Sequence, residues 1–348
     1  MARSRKVLVL FDYPYRPAKD EVWGASIRDE DWRCEREVME ALKGLGHEVT
    51  PFGIHDRVRP LLLEIRRRPP DIVFNLAEAY ANVRANEANL AGFLELLNVP
   101  YTGCRSNALS LCRHKGITQR LLATHHLKVP RSVTLPLSNR RASLKNLKFP
   151  VIVKPLGLEG SDGISQSSFA EDREACWARV KYLHESLKTD VNVEEYIEGR
   201  ELYSGVLGNL RLTVLPAREM FFGKLAEDRP RIATFKAKWD DQYRKERGIR
   251  NDFAEGLPDD LRRRIASISR TAYRALGLNG YARLDLRLTP ANELYILEVN
   301  PNPGLATNDE IATAAAKAGI SFPQLIQRIL DYGLQIPPFG KRPPARGT

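Results

Sequence analysis

The sequence predicts an α/β (α+β) protein of more than one domain, and three observations carry that prediction. Val7-Leu8-Val9-Leu10-Phe11 is a short, wholly apolar run, the pattern of a strand covered on both faces. Strand, helix and strand patterns with glycine stops then follow through residue 104, as in an open α/β domain. The 348 residues exceed one domain of about 150, and the later strands read as hairpins and meanders.

After the first strand, 12–31 is polar, holds Pro14 and Pro17, and reads as a loop. Val38, Leu42 and Leu45 share one helical face over 35–45, and Gly46 stops the helix. Strands are expected at 47–50 and 71–76, and a helix at 88–97. Residues 106–126 read as one helix. Strand signals follow at 133–135, at 149–155 before a glycine-bearing loop, and at 190–196. Segments 202–208 and 211–217 resemble a meander, and 261–276 is an amphipathic helix stopped by Gly277. Strands at 281–288 and 293–299 flank Pro290-Ala291-Asn292, a hairpin signal, and a last helix covers 322–332. The tail from Pro337, rich in proline and basic residues, is expected to be disordered.

Composition narrows the function classes. With 43% hydrophobic and 28% charged residues, a disordered chain, a collagen and a coiled coil are excluded. The net charge of +11 admits nucleic acid or an anionic substrate. The basic residues are interspersed with acids, as in Arg244-Lys245-Glu246-Arg247, and form no stripe with interleaved aromatics, so no nucleic-acid partner is expected. Cys34, Cys104, Cys112 and Cys176 form no CxxC pair and no zinc spacing, which points to reduced thiols and a cytoplasmic protein. No apolar stretch of ~18 residues occurs, so no membrane span is expected.

Three segments carry chemistry. Asp285 lies in the first strand of the late hairpin; Glu298 and Asn300, two apart, share one side of the second. If Asp285 faces that side too, two carboxylates and an amide oxygen meet, a hard-oxygen set suited to Mg2+. The alternative is a charged face on an exposed hairpin. Val151-Ile152-Val153-Lys154-Pro155 delivers a lysine to a loop containing Gly157, Gly160, Ser161 and Gly163. Such a loop can present N–H groups to phosphates, or can be a plain mobile turn. Val193-Glu194-Glu195-Tyr196-Ile197-Glu198-Gly199-Arg200-Glu201 can offer a strand edge to a purine and an acid to ribose; a strand end with solvated glutamates has the same letters.

Taken in order, these segments resemble the ATP-grasp superfamily and, within it, the D-alanine–D-alanine ligases. Pro100-Tyr101-Thr102-Gly103 is similar to that family's closing of the first domain, Lys115 with Thr118 to its DKxxT, and Phe322-x-x-Leu325-Ile326-x-x-Ile329-Leu330 to its final helix. The resemblance covers 70–335 and implies an ATP-grasp fold: an N-terminal pre-ATP-grasp domain over 1–104, a lid domain with the glycine-rich loop over 105–193, and a C-terminal domain with the metal site over 194–335, before the tail at 336–348. It further implies an ATP-dependent carboxylate–amine ligase that works through an acyl phosphate on small amino-acid or peptide substrates, a place in cell-wall biogenesis, and a homodimer.

The resemblance also assigns roles. Lys115, Lys154, Gly160, Ser161 and Gly163 would hold ATP phosphates, Glu194 the adenine amino group, the backbone of Glu195 and Ile197 the ring, and Glu201 the ribose. Asp285, Glu298 and Asn300 would bind Mg2+, or Mn2+ in its place. Lys238 would reach the γ-phosphate from a mobile loop, and Arg283 with the Gly304 N–H would stabilise an oxyanion. The segments 157–163 and 236–243 would act as lids. A non-catalytic ATP-binding protein of this fold would be expected to lack metal ligands that are all present here.

The substrate side departs from the family. Arg113-His114 replaces its Met-Asp, and Glu159-Gly160-Ser161-Asp162-Gly163 lacks its second serine. Asp309 stands where a serine receives the acceptor carboxylate, and Trp239 where tyrosine is frequent, so both are candidate substrate contacts. Glu35-Arg36-Glu37-Val38 matches the stretch whose glutamate holds the first D-alanine, but only about three turns separate Glu35 from His47, about two fewer than in the family, so it reads as a mid-helix coincidence. The expectation is therefore a ligase with a different substrate pair, against a true D-alanine–D-alanine ligase of peptidoglycan synthesis.

Overall fold

The computed structural model describes residues 3–18, 21, 23, 27, 29–138, 143–156, 163–224 and 229–336. The expected tail from 337 lies outside them.

The first domain is built on a three-stranded parallel sheet, β1 (Lys6–Asp12), β2 (Glu48–Ile54) and β3 (Ile72–Asn75), in the order β2-β1-β3. α1 (Arg33–Gly44), α2 (Val58–Arg67) and α3 (Glu87–Leu96) connect or follow these strands. Side chains of β1 alternate between two cores, as the period of two in a strand requires. Leu8 and Leu10 join Leu61 and Leu94, whereas Val7, Val9 and Phe11 meet Val38 and Leu42. Helix α2 has no counterpart in the sequence reading: Leu61 and Ile65 are its buried residues amid five arginines from 57 to 68.

The expected helix over 106–126 is two helices, α4 (Ser106–Arg113) and α5 (Lys115–Thr124), broken at His114 with φ −88° and ψ 79°. The break points Lys115 inward from the start of α5, where it is buried. The sheet of the expected lid is antiparallel and consists of β4 (Ser132–Leu135), β5 (Val151–Pro155), β6 (Phe169–Ala170) and β7 (Val191–Glu195), in the order β4-β7-β5-β6. α6 (Arg173–Ser186) covers it and, through Cys176, Val180 and Leu183, shares a core with Val151, Val153 and Val193. The expected boundary between 193 and 194 falls inside β7, whose pairing continues through Ser132–Glu194 and Val151–Glu195.

The third sheet has six strands: β8 (Arg200–Gly208), β9 (Leu212–Val214), β10 (Arg218–Phe221), β11 (Arg250–Phe253), β12 (Tyr281–Leu288) and β13 (Leu294–Pro301). They run β11-β10-β8-β12-β13, with β9 also on β8. Between β10 and β11 lie two short helices, α7 (Phe235–Trp239) and α8 (Asp241–Arg247), and α9 (Asp259–Ala275) follows β11. The chain ends with α10 (Glu310–Lys317) and α11 (Phe322–Gln335). Leu325, Ile326, Ile329 and Leu330 of α11 pack on Val7, Val9 and Phe11, so the last helix closes a face of the first sheet. The Pro100–Gly103 turn docks there as well: Thr102 Oγ1 accepts from the Asn75 N–H (3.0 Å), and the Cys104 N–H donates to Asn302 Oδ1 (2.8 Å).

Candidate active site

The hairpin β12–β13 places its polar residues as the sequence spacing requires. Asp285 pairs with Glu298 and Arg283 with Asn300, so all four lie on one side of the sheet. Arg287, two residues beyond Asp285, continues that side and is buried. Two openings meet here. A narrow cleft of about 60 Å³ runs between the lid and the large sheet, lined by Lys154, Glu194, Ile197, Glu201 and Glu298. A cavity of about 1380 Å³ opens toward the first domain, lined by Arg283, Asn300, Gly304 and Asp309. Lys238 and Glu298 line both.

Each buried acid of the site has a cationic partner. Arg283 forks onto Asp285 through Nε (2.7 Å) and Nη2 (3.0 Å), with Lys238 Nζ 3.8 Å from the same carboxylate. Lys115 Nζ lies 3.1 Å from Glu298. Burial alone pushes the Glu298 carboxyl up, but Lys115, Lys238 and Lys154 outweigh it and hold it down at about 2. Burial lowers the Arg283 guanidinium, and Asp285 more than reverses this, so Arg283 stays protonated. Arg283 is thus held by Asp285 in this structure, beside the cavity where the sequence reading puts an oxyanion.

The lid side is arranged likewise. Lys154 is ion-paired with Glu194, which also accepts from Gln119 Nε2 (3.0 Å) and Asn192 Nδ2 (3.3 Å). Glu194 is therefore a buried counter-ion here rather than a free acceptor for adenine. The Glu195 N–H donates to the Arg131 carbonyl (2.9 Å), so that donor is already used, whereas Ile197 lines the cleft. Both Glu201 oxygens are engaged, by Arg287 Nη2 (2.8 Å) and the Tyr203 hydroxyl (3.2 Å). Arg287 also donates to the carbonyls of Gly199 and Arg231, each at 3.1 Å. At Gly199 φ is +147° and an added Cβ would lie 2.0 Å from the Leu288 carbonyl oxygen, which accounts for the glycine of the Glu194–Glu201 motif.

Gly160 and Ser161 lie outside the described residues. Gly163 packs against Pro155 and Leu187, and its carbonyl accepts from Arg179 Nη2 (2.7 Å). Trp239 is exposed at the wall of the large cavity. Asp309 lines the same wall, and one of its oxygens accepts the Ala306 N–H (2.8 Å).

Glu35 corrects the sequence reading. It lies in the first turn of α1, not mid-helix, and lines the large cavity. The short helical turn Glu30–Trp32 leads into α1, and Tyr13 stacks on Trp32 (ring centroids 5.2 Å apart). Burial, with Asp12 and Glu78 nearby, raises the Glu35 carboxyl to about 7. Arg287 and Gln119 were the other omissions. Their signals were local: Arg287 shares the strand face of Asp285, and Gln119 is one helical turn from Lys115.

The hard-oxygen set fits a divalent cation. Asp285 and Glu298 face each other across the hairpin, and the Asn300 side-chain nitrogen is buried with no partner, so a flipped amide would turn oxygen inward. Among the described residues no three His, Cys, Asp or Glu gather as a cage. No described helix is long and apolar enough to cross a membrane.

Comparison with known proteins agrees with this geometry. The family described as D-ala D-ala ligase C-terminus matches residues 124–331. The D-alanine–D-alanine ligase of Desulforudis audaxviator is 31% identical over 87% of this chain and 93% of its own. That of Moorella thermoacetica is 28% identical over 89% and 96%. Among solved structures, the D-alanine–D-alanine ligase of Bacillus anthracis complexed with ATP superposes with a TM-score of 0.72 over 95% of this chain and 98% of its own, at 20% identity. The VanG D-Ala:D-Ser ligase of Enterococcus faecalis does so with a TM-score of 0.72 over 95% and 100%, at 21% identity. With sequence, fold and the paired strands of the hairpin in agreement, the chain belongs to the D-alanine–D-alanine ligase family, ATP-dependent carbon–nitrogen ligases of ATP-grasp fold.

Proposed function

We propose that this protein joins a carboxylate to an amine at the expense of ATP, on a substrate pair other than two D-alanines. The observation that carries the ligase reading is the junction of the two openings at Lys238 and Glu298. A nucleotide that enters as the narrow cleft opens would present its γ-phosphate where an acid in the large cavity can reach it. Lys115 and Lys154 hold phosphate oxygens, releasing Glu298 and Glu194 from their present ion pairs. Asp285, Glu298 and Asn300 hold Mg2+, which when bound offsets charge on the transferring phosphoryl group.

A carboxylate oxygen of the donor attacks the γ-phosphorus and ADP leaves, giving an acyl phosphate. The amine nitrogen of the acceptor then attacks the acyl carbon. Arg283 and the Gly304 N–H steady the oxyanion, the acyl carbon–oxygen bond to phosphate breaks, and the departing phosphate takes the proton from nitrogen. Lys238 and its helix close the junction, because water there would hydrolyse the acyl phosphate. Glu35 receives the ammonium of the donor. The different substrate pair is supported by Tyr13, Tyr15 and Trp32, which line the large cavity, and by Asp309, whose charge disfavours an acceptor carboxylate.

The test is ADP release with Mg–ATP and a panel of D- and L-amino acids and dipeptides. Turnover with D-alanine alone defeats the different-pair reading. Bound ATP with no ADP release for any carboxylate defeats the ligase reading.

A further inference from the structure

We infer that Arg244 is a positioning residue for Lys238, tying the short helix that carries this lysine to the acceptor-side wall of the large cavity. The inference rests on the reading of Lys238 as the γ-phosphate contact. Helix α7 has five residues, too few to hold itself through internal hydrogen bonds. Its start is capped by Thr234, which accepts from the Ala237 N–H (3.2 Å). Its end leaves carbonyls without helical donors. Arg244, from α8, fills that need: Nη1 donates to the Ala237 carbonyl (2.5 Å), the peptide unit that leads into Lys238. A cation at a helix C-terminus is also favoured by the helix dipole.

The same guanidinium is anchored at its other side. Nη2 reaches Asn251 Oδ1 at 3.4 Å, and Asn251 Nδ2 donates to Glu310 Oε1 (2.5 Å). Glu310, the first residue of α10, is ion-paired with buried Arg218 (2.6 Å). Arg218 in turn donates to the Asn251 carbonyl (3.1 Å). Glu310, Asn251 and Arg244 all line the large cavity. The aim of Lys238 is therefore set by a chain of side chains that runs from the cavity wall to its helix. An arginine suits this place because its planar fork serves two acceptors at once.

The test is a double-mutant cycle read by titration with Mg–AMP-PNP, with amide hydrogen exchange over 235–239 as the structural readout. Lys238→Ala and Arg244→Ala should each weaken binding, the former about tenfold. Arg244→Ala should add nothing in the Lys238→Ala background, because it acts through that lysine. Exchange over 235–239 should rise about tenfold in Arg244→Ala while that of α9 is unchanged, and Arg244→Lys should restore part of the protection. Equal weakening by Arg244→Ala in both backgrounds, or unchanged exchange, overturns the inference. Unchanged affinity in Lys238→Ala alone removes the phosphate reading instead, and the exchange result then decides the positioning by itself.

Discussion

Asp285 and Glu298 face each other across the β12–β13 pair, and the two carboxylates are paired with different cations. Asp285 takes Arg283 from its own strand and Lys238 from α7; Glu298 takes Lys115 from the start of α5. Lysines that would serve phosphates thus neutralise the acids that would hold the metal. A cation arriving alone must compete with them, whereas Mg2+ arriving with ATP brings the phosphates that draw the lysines away.

Metal binding should accordingly depend on nucleotide. Calorimetric titration with Mn2+ should show weak binding to the free protein and at least tenfold tighter binding with ADP present, as expected when lysine charge is redirected to phosphate. Asp285→Asn should abolish the difference. Equal Mn2+ affinity with and without ADP would count against the exchange of partners.

Glu194 is buried and its partner Lys154 half-buried, so removal of the lysine leaves a buried carboxylate without its cation. Lys154→Met should lower stability to urea by about 3 kcal/mol, and Lys154→Met with Glu194→Gln should recover part of the loss. A single variant as stable as the parent would show that Gln119 and Asn192 suffice for Glu194.

Glu35 gives the cavity a titration near neutrality. Its folded-state value of about 7 lies above the unfolded one, so its contribution to stability is full below the ordinary carboxylate range and is lost as pH rises through 7. Ionised Glu35 favours a bound ammonium, so the affinity for an amino-acid donor should increase with pH through 7. Glu35→Gln should flatten that rise. A rise of equal size in the variant would assign the titration elsewhere.

Gly199→Ala should cost about 3 kcal/mol of stability, since neither the positive φ nor the Leu288 carbonyl leaves room for a methyl group. Nucleotide affinity should fall with it, because Arg287, which holds Glu201, donates to the Gly199 carbonyl. Thermal unfolding and titration with ADP check both parts.

Much of this was legible along the chain. The apolar run at 7–11 announced a doubly covered strand, and α11 covers one of its faces. The spacing of Glu298 and Asn300 gave a shared face because a strand repeats every two residues. What escaped were short helices whose stability comes from their neighbours. α7 has Ala237 as its only buried residue, too little for an apolar period. Glu35 escaped because only about three turns separate it from His47, fewer than in the family, whereas its place at the cavity is set by how α1 packs against the first sheet.

The sequence by itself determined the fold class, the family and the residues that meet at the hairpin, because strand period, glycine stops and ordered motifs are local properties. Only the tertiary structure decided which charges neutralise which. Lys115 and Glu298, like Lys154 and Glu194, are far apart in sequence, and an ion pair depends on distance through space, set by the packing of three sheets around one junction.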